Sequence, residues 1–315
     1  MVSAKVSIII LNWNGLKDTV ECLESLKKIT YPNYKVVVVD NRSIGDDVAR
    51  LRHGFGDYIH IIENDKNYGY TGGNNIGMRY CLAHLQPDYL LVLNNDIVVA
   101  PDFLNHLVDA AEADPAVGIA GPKVYYYDYP NCIQSAGATI NMWTGQVTSI
   151  GCKQVDRGQY DNQREVDYVS GSCLLIRKNV VQRVGMFDES YFCYWDETDY
   201  CTRVRKAGHK IMYVPQARIW HKNPMKEKIW QKTPGGRSTD LPYYYSARNN
   251  FRFMRKHASR RQYLTFLISF FGYYFWVMAA TCLLYYRDSR RLAGFCRGVR
   301  DGLFHRDMKP ALNDH

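Results

Sequence analysis

The chain of 315 residues has no C-x-x-C pair; its nine cysteines are scattered, so free thiols in a reducing compartment are expected, with the catalytic part in the cytoplasm. No signal-peptide pattern opens the sequence, which starts directly on a strand-like run. No dense basic run occurs in the first two hundred residues, so the formal net charge of +9 does not mark a nucleic-acid partner there. Neither a P-loop nor a G-x-G-x-x-G turn is present. An ordinary hydrophobic share, 46%, excludes a disordered tail, and the length allows one large or two modest domains with a real core.

What is present centres on Leu90 to Val99, LLVLNNDIVV. An apolar run that stops at Asn94-Asn95-Asp96 reads as a buried strand ending in a polar edge, where a carboxylate is well placed to hold a divalent cation against phosphate oxygens. The same three residues also serve as an ordinary turn. Before it, KVSIIIL (5–11) predicts a strand, Asn12-Trp13-Asn14-Gly15 a loop, and Val20, Leu23 and Leu26 a helix. Val36 to Val39 is a second buried strand with Asp40-Asn41-Arg42-Ser43 at its end, and Tyr58 to Ile62 a third. The segment Asn67 to Asn75, NYGYTGGNN, opens a further helix; its glycines either let backbone N–H groups approach an anion or form a tight capped loop. Pro101 starts a helix to about Asp114, and Val117 to Gly121 is another strand. Such β/α alternation predicts a mostly parallel central sheet with helices on both faces. From Tyr125 to Val166, aromatic and glycine-punctuated, hairpins and loops on an acceptor side are expected, without a fixed topology.

A second loaded stretch is Trp195-Asp196-Glu197-Thr198-Asp199, opening a helix that ends near Gly208. Dipole capping accounts for one or two acids in a first turn; three within four residues, after Tyr191, Phe192, Tyr194 and Trp195, fit a base in a sugar-sized pocket. Lys210 to Val214 predicts a strand, and the run Ala217 to His221 ends in an imidazole that could join a metal or diphosphate site.

In this order VSIIILNWNG, VVVVDNRS, NYGYTGGNN, the NND form of a D-x-D motif, VSGSCLLIRK, WDETDYCTR and YYYSARNNFRF resemble the family 2 glycosyltransferases of GT-A fold, and most closely the rhamnosyltransferase-like branch, over roughly residues 5–255. The resemblance implies an inverting transfer from a nucleotide sugar, with a UDP or dTDP donor, dTDP-rhamnose among the candidates, and Mg²⁺ or Mn²⁺ as cofactor. It implies that Asp40 contacts the base, that Asp96 binds the metal, and that the acidic motif supplies the catalytic base; His221, from its place at a strand end, is the second metal-ligand candidate. The remaining donor-binding candidates are Asn12, Asn14, Asn67, Gly69, Gly73, Asn74, Asn95 and Arg248. The family commonly has Glu-Asp where this chain has Asp196-Glu197, so transfer puts the base at Glu197, with Asp196 the runner-up. The reduced D-x-D leaves one strong anionic ligand, completed by the donor's diphosphate.

Residues 263–286 carry no charge, and at 1.5 Å per residue such a helix reaches across the roughly 30 Å hydrocarbon core. Arginines flank both ends, so the charge asymmetry that orients a span is missing, and a span, a re-entrant segment, an in-plane helix and a buried dimer helix all stay open. The expected organisation is a GT-A domain over 1–250, with a nucleotide-sugar half (1–121) and an acceptor half (122–250), then a membrane-associating segment over 251–315. The expected acceptor is a glycan or lipid-linked hydroxyl in cell-surface polysaccharide or glycoconjugate synthesis at the cytoplasmic face of the membrane. A sugar nucleotidyltransferase and a non-catalytic carbohydrate-binding scaffold are the alternatives.

Overall fold

The β-branched run VSIIILN forms strand β1, Val6–Asn12, buried at every position but Leu11, which suits a strand covered on both faces. Strands β2 (Tyr34–Asp40), β3 (Ile59–Glu63) and β4 (Tyr89–Asn94) follow, ordered β3-β2-β1-β4 and all parallel. Parallel neighbours need crossovers, and α1 (Leu16–Leu26), α2 (Asp47–Phe55) and α3 (Gly69–Tyr80) supply them. The computed structural model describes residues 3–222 and 240–304.

Beyond β4 the topology changes. Along the chain lie β5 (Ile97–Val99), α4 (Phe103–Ala113), β6 (Val117–Tyr126), β7 (Tyr129–Ser135), β8 (Ala138–Asn141), β9 (Gln146–Ser149), β10 (Gln154–Val155), β11 (Arg164–Glu165), β12 (Cys173–Arg177), α5 (Lys178–Val184), α6 (Asp196–Lys206) and β13 (Lys210–His221). Strand β12 slots antiparallel between β4 and β6, so the parallel half expected from the β/α alternation continues into a mixed half. Strand β13 runs parallel to β6 and antiparallel to β5, with a bulge between Val214 and Arg218. The loop-rich region after Tyr125 is indeed built from antiparallel strands, β7 pairing with β6 and with β10, and β8 with β9.

Side chains alternate across the sheet, and two cores result. Ile8, Ile10, Val36 and Leu91 pack in one with Leu23, Leu51 and Leu107 from α1, α2 and α4. Ile9, Val37 and Val92 pack in the other with Met78, Val180 and Val204 from α3, α5 and α6. Helices therefore cover both faces.

Among the described residues, two compact units are found: 3–139, 148–192 and 196–222 form the first, and 140–147, 193–195 and 240–304 the second. The boundary expected at residue 250 falls inside helix α7, Leu241–His257, whose residues belong to the second unit. That unit continues with α8 (Arg260–Ser269), which opens on a capping box between Ser259 and Gln262, then α9 (Phe275–Ala280) and α10 (Ser289–Phe304). Two π turns, Phe270–Tyr274 and Thr281–Tyr285, join α8 and α9 into one helix from Arg260 to Tyr285. Helices α7 and α10 approach closely because Gly294, Gly298 and Gly302 face Asp240 O, Tyr244 O and the Phe251 Cβ, leaving no room for a Cβ. Arg255 ties them further, donating to Gly302 O at 2.6 Å.

Candidate active site

Strand pairing assembles the first cluster. The antiparallel register sets His221 of β13 opposite Ile97 of β5, which brings its imidazole beside Asp96 in the turn between β4 and β5. Nε2 of His221 lies 3.2 Å from Asp96 Oδ2. The other ring nitrogen, Nδ1, is 2.7 Å from Oε1 of Gln134 on β7; an amide oxygen only accepts, so Nδ1 carries the proton and Nε2 faces the carboxylate. Asp96 Oδ1 is buried and has no hydrogen-bond partner among the described residues. Burial pushes the Asp96 carboxyl up, but the His221 hydrogen bond and charge more than offset it, so the group lies below its ordinary value. A buried, unsatisfied carboxylate oxygen next to an oriented imidazole is a donor set that fits a divalent cation, which would take the place of the Nε2 proton that bonds Asp96 here. No group of three or more His, Cys, Asp or Glu able to hold a metal occurs among the described residues, so the remaining ligands would come from the donor's phosphates and water.

A second cluster forms at the ends of β1 and β2. Asn12 Nδ2 donates to Asp40 Oδ1 at 2.8 Å and to Asp47 Oδ2 at 3.0 Å, while Thr19 donates to Asn12 Oδ1 at 2.7 Å. Ser43 adds a hydroxyl bond to Asp40 Oδ1 at 2.6 Å and an N–H bond to Oδ2 at 2.8 Å. A carboxylate has about four acceptor positions, so these three bonds leave buried Asp40 one for a ligand. Asn14, with φ of 51°, accepts from Ile44 N at 2.7 Å and thereby shapes the same loop. Asn95 donates to Thr19 Oγ1 at 3.0 Å.

The glycine run does something other than expose amides. The first N–H groups of α3, those of Tyr70 and Thr71, donate to Phe192 O at 2.8 and 3.3 Å, so they do not point at an open anion site. A Cβ at Gly73 would enter Leu11, and one at Gly77 would enter Ile9; both positions let α3 lie close on β1. Gly69 has φ of +72° and sits against the Phe192 ring. Asn74 is buried, donating to Tyr70 O at 2.9 Å, and Asn67 Oδ1 accepts from Asn41 at 2.8 Å and from Gly69 N at 2.8 Å. Of the two readings open for this segment, a phosphate cradle and a tight packed loop, the geometry here is that of the second.

The acidic motif divides by role. Asp199 is fully buried, paired to Arg203 Nε at 2.8 Å, and Arg203 also donates to Val184 O and Met186 O at 3.0 and 2.7 Å. This carboxylate fastens α6 to the end of α5. Glu197 lies instead against Gly171, where its side chain leaves only tight space for a Cβ. Burial pushes its carboxyl up, outweighing the opposing pull of the nearby backbone N–H groups. Asp196 is raised well above its ordinary value, first by burial and then by the Glu197 charge. Directly before them, Phe192, Tyr194 and Trp195 hold φ of 63–66°, a left-handed conformation that costs a side-chain-bearing residue about 1–3 kcal/mol and persists where function fixes it.

The loop before β12 links the two carboxylate sites. Ser172 O accepts from Asn94 N at 3.0 Å, and neighbouring Gly171 packs against the Glu197 side chain and accepts at its O from the Tyr70 phenol at 2.6 Å. Burial, then the Asp196 and Glu197 charges, hold the Tyr70 phenol well above its ordinary value. Arg248 belongs to the second unit, where it is buried, donates to Asn249 Oδ1 at 2.9 Å and lies over Tyr245 at 4.9 Å. Asn249 Nδ2 in turn donates to Cys193 O and Tyr194 O at 2.8 and 2.9 Å, immediately upstream of the acidic motif.

Sequence reasoning missed Gln134, Thr19, Asp47 and the supporting role of Tyr70. Ser43, which also bonds Asp40, and Tyr70 lie within the VVVVDNRS and NYGYTGGNN motifs, whereas Gln134 lies in a glycine-punctuated hairpin and carries no local signal.

Comparison with known proteins bears on the family and the fold. The chain matches the family described as "Glycosyltransferase like family 2" over residues 4–233. It is 27% identical, over 97% of its length and 93% of the relative's, to the low-salt glycan biosynthesis hexosyltransferase Agl10 of Haloferax volcanii. It is 26% identical, over 81% of each chain, to the dTDP-rhamnosyl transferase RfbF of Shigella flexneri. The fold is shared with the mannosyltransferase PcManGT of Pyrobaculum calidifontis, solved with GDP-Man and Mn²⁺, at a TM-score of 0.59 and 15% identity over 98% of this chain and 89% of that one. By its matched residues and its GT-A sheet, the chain belongs to the family 2 glycosyltransferases.

Proposed function

We propose that the enzyme is an inverting, metal-dependent glycosyltransferase that takes a hexosyl or deoxyhexosyl group from a UDP- or dTDP-sugar, dTDP-rhamnose among them, to a hydroxyl of a glycan or lipid-linked acceptor. The observation that carries this is the unsatisfied Asp96 Oδ1 beside His221 Nε2. Asp96 and His221 hold the cation, and Asp40, through its one free acceptor position, receives an N–H of the base. When bound, Mg²⁺ or Mn²⁺ supplies positive charge for the departing diphosphate. Glu197 takes the proton of the attacking acceptor hydroxyl, and its raised carboxyl is better matched to that task than an ordinary one. Gly69, Gly73, Asn67 and Asn74 serve by packing α3 and its entrance loop rather than by touching the donor. The reading of the relatives named for rhamnosyl and hexosyl transfer supports the donor class. The exposed apolar helix of the second unit supports work at a membrane, on its cytoplasmic face.

The test is a panel of nucleotide sugars with Mn²⁺, read by thermal shift and by released product. The cognate donor at a hundredfold its Kd adds about 2.7 kcal/mol of stability. Nucleoside diphosphate should be released; pyrophosphate as the product would overturn the reading in favour of nucleotidyl transfer.

Gln134 gives an independent check. Gln134→Leu removes the acceptor that fixes the His221 ring, and loss of such a partner typically costs 10–100-fold in metal affinity. We expect the Mn²⁺ concentration needed for donor binding to rise by about that factor, with the metal-free melting temperature little changed. An unchanged Mn²⁺ titration would separate His221 from the metal.

A further inference from the structure

The helix Arg260–Tyr285 has 26 residues and a mean hydropathy of 1.7 in its most apolar stretch, of which only 11% is buried. It is about 39 Å long at 1.5 Å per residue. One side packs. Phe266 and Phe270 are buried against Phe251 of α7, ring centroids 5.1 and 4.7 Å apart, and Phe270 and Phe275 lie 6.1 and 5.6 Å from Phe295 of α10. The other side holds Leu264, Ile268, Trp276, Val277, Leu284 and Tyr285 in the open, Trp276 at 64% and Leu284 at 77% exposure.

This packing decides between crossing and lying flat. Residues 266–275 are the middle of the helix, so in a crossing orientation Phe251 and Phe295 would sit at the hydrocarbon centre and carry α7 and α10 with them. Arg297 and Arg300 follow Phe295 within two turns, with side chains 42% and 54% exposed. An arginine at that depth costs about 2.5–3.5 kcal/mol even on the most lenient scale, and neither side chain is sealed inside the unit. Lying flat removes the cost: the apolar side enters the acyl boundary while both neighbouring helices stay in water or among headgroups.

A second copy of the chain could cover the same side, but charge argues against it. Exposed Arg260 and Arg261 stand at one end of the helix and Arg287 and Arg290 at the other. Paired copies, parallel or antiparallel, would press arginine ends together, whereas anionic headgroups complement both ends.

We propose that Arg260–Tyr285 is an in-plane anchor on an anionic membrane surface, not a span. The proposal refines the membrane reading made above and rests on it. The full-length chain is added to sealed vesicles of phosphatidylcholine, alone or mixed with phosphatidylglycerol, and assayed by flotation and external trypsin. Flotation should require phosphatidylglycerol, and Trp276→Asp and Leu284→Asp should each lower the bound fraction about tenfold or more. Trypsin should cut after Arg261 and after Arg287 with equal ease from outside. Cleavage at one flank alone until detergent opens the vesicle would overturn the in-plane placement in favour of a crossing helix. Binding indifferent to phosphatidylglycerol would overturn the anionic surface. A chain that never floats and sediments as a dimer would assign the face to a second copy. Nucleoside diphosphate release by Trp276→Asp, measured toward a soluble acceptor, should match wild type; if wild type itself releases none, the catalytic reading fails and the anchor is judged by flotation alone.

Discussion

Glu197→Gln is expected to lower turnover by about 10² or more while leaving donor affinity nearly unchanged, because the amide keeps the side chain's shape but cannot take the acceptor's proton. Donor affinity is read by thermal shift and turnover by nucleoside diphosphate release. Burial holds the wild-type carboxyl above its ordinary value, so the base is lost to protonation at a higher pH than an exposed glutamate would be. The rate should therefore fall as pH drops through that raised value, and this limb should vanish in the variant. Stability has the opposite dependence. A carboxyl raised in the folded state contributes stability that is complete below its unfolded pKa and lost as pH rises through the folded one. Above that raised value the charged Glu197 is thus a burden, and there Glu197→Gln should melt no lower than wild type. Asp196→Asn is the control, since Asp196 is raised as well. If it damages turnover more than Glu197→Gln does, with donor binding kept in both, the base moves to Asp196.

Asp96→Ala is expected to abolish metal-dependent transfer, a loss of about 10³ in kcat/KM if the cation contributes several kcal/mol to the departing diphosphate. The fold should survive. Asp96 is in a turn and its Oδ1 has no partner among the described residues, so the variant gives up only the Oδ2–His221 pair. Circular dichroism should match wild type, melting at neutral pH should fall modestly with the lost His221 pair, and Mn²⁺ should no longer promote donor binding. Should the variant keep wild-type turnover in the presence of a chelator, the cation has no role at this turn.

Local pattern accounts for much of the architecture. VSIIIL, VVVV and LLVL are runs that only a doubly covered strand accommodates, and the amphipathic stretches between them had to become crossover helices because parallel neighbours cannot be joined by a hairpin. The same reasoning left the topology of Tyr125–Val166 open, because short strands with exposed residues carry little hydrophobic period. Three acids in one motif looked alike in the sequence. Burial and partners separate them: Asp199 bonds Arg203, whereas Glu197 lies against Gly171 with its carboxyl raised by burial.

The sequence by itself determined the family, the parallel half of the sheet and the residues from which the site is made, since each rests on the identity and spacing of neighbours along the chain. Tertiary structure alone decided that β5 pairs with β13 rather than β4, and so that His221, far away in sequence, meets Asp96. It decided that the α3 glycines meet β1 side chains, because only the position of β1 says what a missing Cβ makes room for. It also decided which side of Arg260–Tyr285 is open. An uncharged run has no preferred face of its own; α7 and α10 take one through Phe251 and Phe295, and the side left over is the one that needs a membrane.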